Sequence, residues 1–453
     1  MWRMKHRVGV KGRSALVAAL SVFLGAAVAH AQTRPTPPAR SSRPGAAYTL
    51  YLNFSGFNYP GTWNAGEGFT FTPGSSAAYS VDADTTTFNS TEVANINAIW
   101  ARAAQKFSPF NINVTTVDPA PAGSSDAQRL ASYDNRARFM HTVVGGTGSW
   151  IGSAGVSNLG TTALARPGSN GLHTNFVFAN LFPSNVPFIG ETIAHENGHG
   201  LGLYHQGDFI GGTSVNEYSQ GNSTIAPIMG GSSGAGRGTW AVGSIYFGVE
   251  QNDVADIMLN EGMQYVNAGV GRSLATATPL PLGGSGVNVV DFSRAKGTIV
   301  PLSTFNPLPL NALNYSSDFW SFNTTGGIAS FVAYSGSSFL IPGTPDPGST
   351  LDVTLQLLAA DGSVLVNRAT PRLFETFTTT LAPGTYYLRI ASSGGVNDAS
   401  YTPYNPRSFF DLGDYFITGS INGVVPEPAA LAFILVVAMA VLARTHGSRA
   451  FAT

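Results

Sequence analysis

In the run His195-Glu196-Asn197-Gly198-His199-Gly200-Leu201-Gly202-Leu203-Tyr204-His205, side chains able to do chemistry fall at a telling spacing. On a helix, residues four apart share a face, so His195 and His199 can aim their imidazoles at one point while Glu196, one step round, reaches the same neighbourhood. Gly202 permits the left-handed backbone that ends a helix, after which the chain can turn back and His205 can add a third nitrogen. Three neutral imidazoles with one open position describe a catalytic zinc site, not a closed structural one. Zn2+ held there would acidify a water and polarise a carbonyl. Glu196 would take the proton and pass it to a leaving amine. The two-histidine motif arises by chance in roughly 3 per thousand chains of this composition. With the added Gly and third His the figure is on the order of 6 per million, so the run is not an accident of composition. His141 and His173, in or beside strand-like stretches, are expected to be packed residues and not ligands.

The elements that must position these groups are readable in part. Residues 48–54 alternate as a strand, 56–78 are loop-rich, and Asn89-Ser-Thr-Glu92 has the spacing of a capping box. Val93, Ile96, Trp100, Ala103 and Phe107 then predict a helix over 90–106, stopped by Pro109. Residues 112–117 form a second strand, giving a right-handed βαβ unit. Further strands are expected over 138–144 and 175–178, the motif helix over 187–201, and another helix over 252–263 capped by Asn252. After about Gly271 helical periodicity ends. Short β-like runs continue to about Asn422, with Asp361-Gly362 as a hairpin turn, which implies a β-sandwich.

On these residues the chain resembles metzincin metallopeptidases over about 48–262. The resemblance implies an α/β catalytic domain, a mixed sheet with the active-site helix below it, and a methionine turn beneath the metal. Ala226-Pro-Ile-Met229-Gly230 matches that turn, so Met229 is expected as the apolar floor. The family also binds the substrate backbone along an antiparallel edge strand. The candidate is Ser149-Trp150-Ile151-Gly152-Ser153-Ala154-Gly155-Val156, with a plain hairpin as the alternative. Two departures stand out. Some members carry a tyrosine two residues after the turn methionine, where this chain has Gly231, so assistance would have to come from Tyr204, Tyr218 or Tyr246. Many have an inhibitory propeptide, for which the stretch before residue 48 is short. Asp208 is either a partner of a ligand or a surface turn. Asp82-Ala83-Asp84 opens like a calcium loop, but Thr87 and Val93 occupy the Gly and Glu positions of an EF-hand, which leaves Ca2+ without support.

The region 285–422 is similar to bacterial pre-peptidase C-terminal domains, on Ser317-Asp-Phe-Trp-Ser-Phe322, Leu351-Asp-Val353 and Leu381-Ala-Pro-Gly-Thr-Tyr-Tyr-Leu388. The resemblance implies a jelly-roll-like sandwich that either adheres to extracellular polysaccharide or matrix or acts as a spacer.

Both ends read as address labels. Arg3, Lys5, Arg7, Lys11 and Arg13, the apolar run 15–28 and Ala29-His30-Ala31 make residues 1–31 a signal peptide, with 32–47 a flexible leader. An uncleaved N-terminal anchor is the alternative. At the other end Val425-Pro-Glu-Pro428, the apolar run 429–443 and Arg444, His446 and Arg449 resemble the PEP-CTERM sorting signal of bacteria that make extracellular polysaccharide. That likeness implies a membrane sorting protease as partner for 425–453; an ordinary tail anchor is the alternative. Charged residues are only 11% of the 453 and net charge is −1, with no basic run past residue 13, so nucleic acid is not an expected partner. The absence of cysteine excludes disulfides and thiol chemistry. The expectation is an exported, cell-surface or extracellular zinc endopeptidase, its domain over 48–270, acting on protein or peptide substrates. The competing reading is a matrix-associated binding protein whose zinc site is structural or inactive; Glu196 argues against it.

Overall fold

The computed structural model describes residues 34–66, 69–160, 173–210, 213–245, 249–283, 288–302, 315–337, 345–394, 396–398 and 407–423. The expected signal peptide, the sorting tail and Tyr246 lie outside them. The described chain is mostly β, with four α-helices among the described residues. None of these is long and apolar enough to cross a membrane.

The first layer is a five-stranded sheet in the order Ile112–Thr115, Tyr48–Asn53, Phe139–Val144, Thr174–Val177, Gly155–Val156. The first four neighbours are parallel and only the last pair is antiparallel. Alternation gives the sheet two different faces. Leu50, Leu52, Met140 and Val144 join one core with the helices Ser90–Phe107 and Val186–Gly200. Tyr51, Phe139, Val143 and Phe176 point the other way, into an aromatic cluster with Phe57, Trp63 and Tyr133.

Helix Ser90–Phe107 starts where the sequence predicts. Asn89 accepts from the Glu92 backbone and Glu92 returns a bond to the Asn89 backbone, a box that stabilises by about 1 kcal/mol. The 56–78 stretch is more regular than expected. Phe57–Tyr59 pairs with Gly74–Ser76, and Trp63–Gly66 pairs with Phe69–Phe71. Trp63 is drawn into the aromatic cluster because its indole N–H finds the Thr174 carbonyl at 2.9 Å.

Two boundaries need correction. The supposed flexible leader is fixed from residue 34 onward: Ser41 bridges Thr115, Ser42 N–H donates to Val114 O at 3.0 Å, and Arg40 Nε donates to Asn97 Oδ1 at 2.7 Å. It covers the outer edge of Ile112–Thr115, whose backbone groups would otherwise lack protein partners. The late β region is likewise not self-contained. Its main body is a sandwich of two sheets. One runs Thr278–Pro279, Ser317–Thr324, Gly384–Ser392, Val353–Leu358, Val364–Arg368; the other runs Lys296–Ile299, Gly413–Ile421, Gly327–Ser335, Phe374–Leu381. They share a core of residues such as Trp320, Phe331, Leu357, Leu388 and Ile417. Yet Arg407–Phe409 pairs with Ala241–Ser244, and Phe410 and Leu412 enter the core beneath the motif helix. Apolar surface on both sides of the expected boundary is buried by the same contact.

Candidate metal centre

The motif helix Val186–Gly200 is capped by Asn185, whose side chain accepts from Phe188 N–H at 3.2 Å, with a proline in its first turn. Gly202, at φ +93°, ends it in the left-handed conformation, and Leu203 N–H reaches back to Gly198 O at 3.0 Å. That turn brings His205 back toward the helix. The ligand nitrogens of His195, His199 and His205 lie within 4.8 Å of one another.

Each imidazole is held by its Nδ1. His195 Nδ1 meets Ile228 O at 2.8 Å, His199 Nδ1 meets Leu203 O at 2.7 Å, and His205 Nδ1 meets Glu217 Oε1 at 2.9 Å. Those partners accept, so each Nδ1 must donate and each neutral ring carries its lone pair on Nε2. Burial pulls the His195 ring down to about 4, helped by His205 and opposed by the Ile228 carbonyl. It pulls His199 well below the usual range, with His195 and His205 adding to the effect. His205 is also lowered by burial, against the pull of Glu217. All three rings are therefore neutral near pH 7. Two of the lone-pair atoms, His199 Nε2 and His205 Nε2, stand 2.9 Å apart. Such a pair repels unless a proton or a cation lies between them. With the protonated forms disfavoured, the donor set fits a zinc ion.

Glu196 is buried beside the triad, and burial pushes its carboxyl up to about 8. A cation in the triad would oppose that shift and hold the carboxylate ionised. The edge strand is shaped around it: a Cβ on Gly155 would come within 2.4 Å of Glu196 Oε1, so the close approach requires glycine there. On the helix's other side, a Cβ on Gly198 would meet Met229 Sδ at 2.4 Å. Met229 is buried directly under the motif, and the backbone carbonyl just before it, that of Ile228, orients His195.

A cleft of about 260 Å3 opens beside His195 and Glu196, with Ser153, Ala154, Gly155, Thr192 and Tyr218 among its walls. The expected substrate strand is corrected here. Only Gly155–Val156 is a strand, at the sheet edge. Residues 149–151 form a turn between Gly148 and Gly152, both at positive φ, with Ile151 N–H bonded to Gly148 O at 2.9 Å, and Ser153 and Ala154 form a bend before the strand. Trp150 and Ile151 pack against the aromatic cluster behind the sheet, leaving Ser153 and Ala154 at the cleft.

Several site residues escaped the sequence. Glu217 holds His205, whereas Asp208 opens a short strand pair and accepts from Asn216 Nδ2 at 3.1 Å. Of the tyrosines considered, Tyr218 lies over the site, its ring 4.4 Å from that of His205 and 6.0 Å from that of His195. Asn197, within the motif but between its ligands, ties the helix to the sheet through Thr142 Oγ1 at 3.0 Å. Tyr218 is among the tyrosines the sequence offers; Glu217 carries no such signal, because the strand pair between it and His205 hides their proximity. His141 and His173 are fully buried away from the triad.

The chain matches no protein-family model and no curated protein. Among solved structures it is similar to the pre-peptidase C-terminal domain of collagenase from Bacillus anthracis. That match has 12% identity over 22% of this chain and 75% of that one and a TM-score of 0.13, too slight a likeness to argue from.

Proposed function

We propose that the chain is an exported zinc endopeptidase of the metzincin kind. The observation that carries this reading is the convergence of three Nε2 lone pairs, each fixed by a partner on Nδ1, next to a buried carboxylate at the mouth of a cleft. The five-stranded mixed sheet above the motif helix and Met229 below it support the same reading.

A zinc ion bound there supplies a Lewis acid that polarises a substrate carbonyl and acidifies water. The residues do the rest. Ile228 O, Leu203 O and Glu217 fix the tautomer of each ring and aim its Nε2. Glu196 accepts the proton of the attacking water and delivers it to the departing nitrogen. Gly155–Val156, at the sheet edge, leaves one side of its backbone outside the ladder, where an extended peptide can align. Met229 and the core beneath it keep bulk water from the helix. Substrate is thus protein or peptide. The sorting tail would deliver the folded body to the cell surface through a membrane protease, and the sandwich would face surrounding polysaccharide or matrix.

The test is metal content and casein cleavage by the purified chain. One zinc per chain is expected, with cleavage lost on chelation and regained on adding zinc. Undiminished cleavage by metal-free protein, or no bound zinc, would overturn the reading.

A further inference from the structure

Four residues before His195, and so on the same face of the motif helix, Glu191 is buried. Its Oε1 gathers Arg102 Nε at 2.9 Å, Lys106 Nζ at 2.9 Å and the Gly238 backbone N–H at 3.1 Å. Both cations stand on helix Ser90–Phe107. Lys106 is wholly buried, and it also donates to Gly238 O and Gly348 O, each at 2.7 Å. An ammonium has three donors. Here one goes to the motif helix, one to the strand Arg237–Thr239 and one to the sandwich loop 346–350. Beside it Arg237 Nη1 donates to Ser349 O at 3.0 Å, and a Cβ on Gly348 would come within 2.7 Å of Arg102 Cγ.

Both of the catalytic-side partners of Lys106 lead to His195. Glu191 is one helical turn away on the same element. Gly238 lies in Arg237–Thr239, which pairs in parallel with Ile225–Pro227. Ile228 N–H then donates to Thr239 O at 2.9 Å, and Ile228 O receives His195 Nδ1 at 2.8 Å. The geometry points to a positioning role for the sandwich: through Lys106, loop 346–350 holds the motif helix and the strand beside Met229 in register, so that His195 Nε2 stays aimed at the metal. Lys106 and Glu191 are positioning residues, and the sandwich is part of the metal centre's support, neither a spacer nor a detachable adhesion module. The inference rests on the triad being a metal site and not on peptide cleavage.

The physical ground is the cost of a buried charge whose partner is lost. Lys106→Met keeps the length of the stem and leaves Glu191 paired with Arg102, but cuts all three tethers. Gly348→Ala pushes the loop from the Arg102 stem and removes no charged group. The experiment titrates the full metal-free chain with Co(II) and reads affinity and visible spectrum. Lys106→Met should bind about tenfold or more weakly, with a shifted band, and Gly348→Ala should move both in the same direction by less. Leu388→Ala, deep in the sandwich core and away from the loop, serves as a control for general loss of stability and should leave both unchanged at a comparable drop in Tm. If Lys106→Met does not fold, Gly348→Ala decides. Wild-type affinity and spectrum in the folded loop variants would overturn the inference, as would an equal loss in Leu388→Ala. Failure of the wild-type chain to bind Co(II) would instead sink the metal-site reading on which it stands.

Discussion

The two faces of the five-stranded sheet each carry histidine, fully buried on one and half-buried on the other, and they use it in opposite ways. On the aromatic face His141 is spent on packing. Its ring stacks on Tyr51 at 5.5 Å and lies 4.5 Å from that of Tyr133, while Nε2 meets Asn53 Nδ2 at 3.1 Å and Nδ1 meets Thr174 Oγ1 at 3.2 Å. Both nitrogens are engaged by protein. On the helix face, His195 and its two companions each give Nδ1 to an acceptor and turn Nε2 toward a shared point. Burial alone therefore does not mark a ligand; a fixed ring with one nitrogen left over does. The comparison also separates what each face should lose when altered: reaction on one side, folding on the other.

The largest effect should come from Glu196→Gln on the helix face. The amide keeps the size of the side chain but cannot take a proton. Peptide cleavage should drop about 10²–10⁴-fold in kcat with zinc content unchanged. Turnover near that of wild type would break the assignment of the base. Phe176→Ala on the aromatic face should do the reverse. Phe176 is fully buried against Trp63 and Trp150, with ring centroids at 5.8 and 5.3 Å, so truncation should cost about 3–5 kcal/mol in denaturant unfolding. Metal affinity of the folded fraction should not move, and a large fall in it would show that the faces are not independent. Glu217→Ala should be milder, because His205 keeps its ring but loses the carboxylate that sets its tautomer. Zinc affinity should weaken about 10–100-fold in a competition titration. No change would mean that the Leu203 and Ile228 carbonyls suffice to align the centre.

Sequence legibility differed for the same reasons. The capping box at Asn89 and Glu92 and the spacing of His195, His199 and His205 are local, so chain order exposes them. So is the strict alternation of Ser317–Thr324, whose every second residue is buried. Glu217 reaches His205 only because the strand pair between them folds back, and Lys106 finds Glu191 only through the packing of two helices. On chain order alone both carboxylates read as ordinary charged residues. Trp150-Ile151 failed in the other direction. Apolar residues suggested a strand, but Gly148 and Gly152 at φ +60° and +76° turn the chain, and the aromatic cluster offered these side chains a better-buried place.

Per pH unit, the smallest effect should separate the packed histidine from the ligands. Burial pulls His141 down to about 3 from an ordinary 6.5, with the charges of Arg34 and Arg129 adding to it. In the unfolded chain the ring takes a proton as pH falls through 6.5, whereas in the folded chain it stays neutral until about 3. Between those values the unfolded state binds more protons. The contribution of His141 to stability is therefore complete above pH 6.5 and is lost as pH falls, at about 1.4 kcal/mol for each pH unit. His141→Gln keeps a hydrogen-bonding group toward Asn53 and cannot titrate. Unfolding free energies of metal-free wild type and variant, measured across pH 4–6.5, should thus converge as pH falls, because only the wild type carries this proton linkage. The histidines of the triad are present in both proteins and cancel in the difference. Parallel curves would mean that His141 is protonated inside the fold, which its two engaged nitrogens and aromatic neighbours do not accommodate.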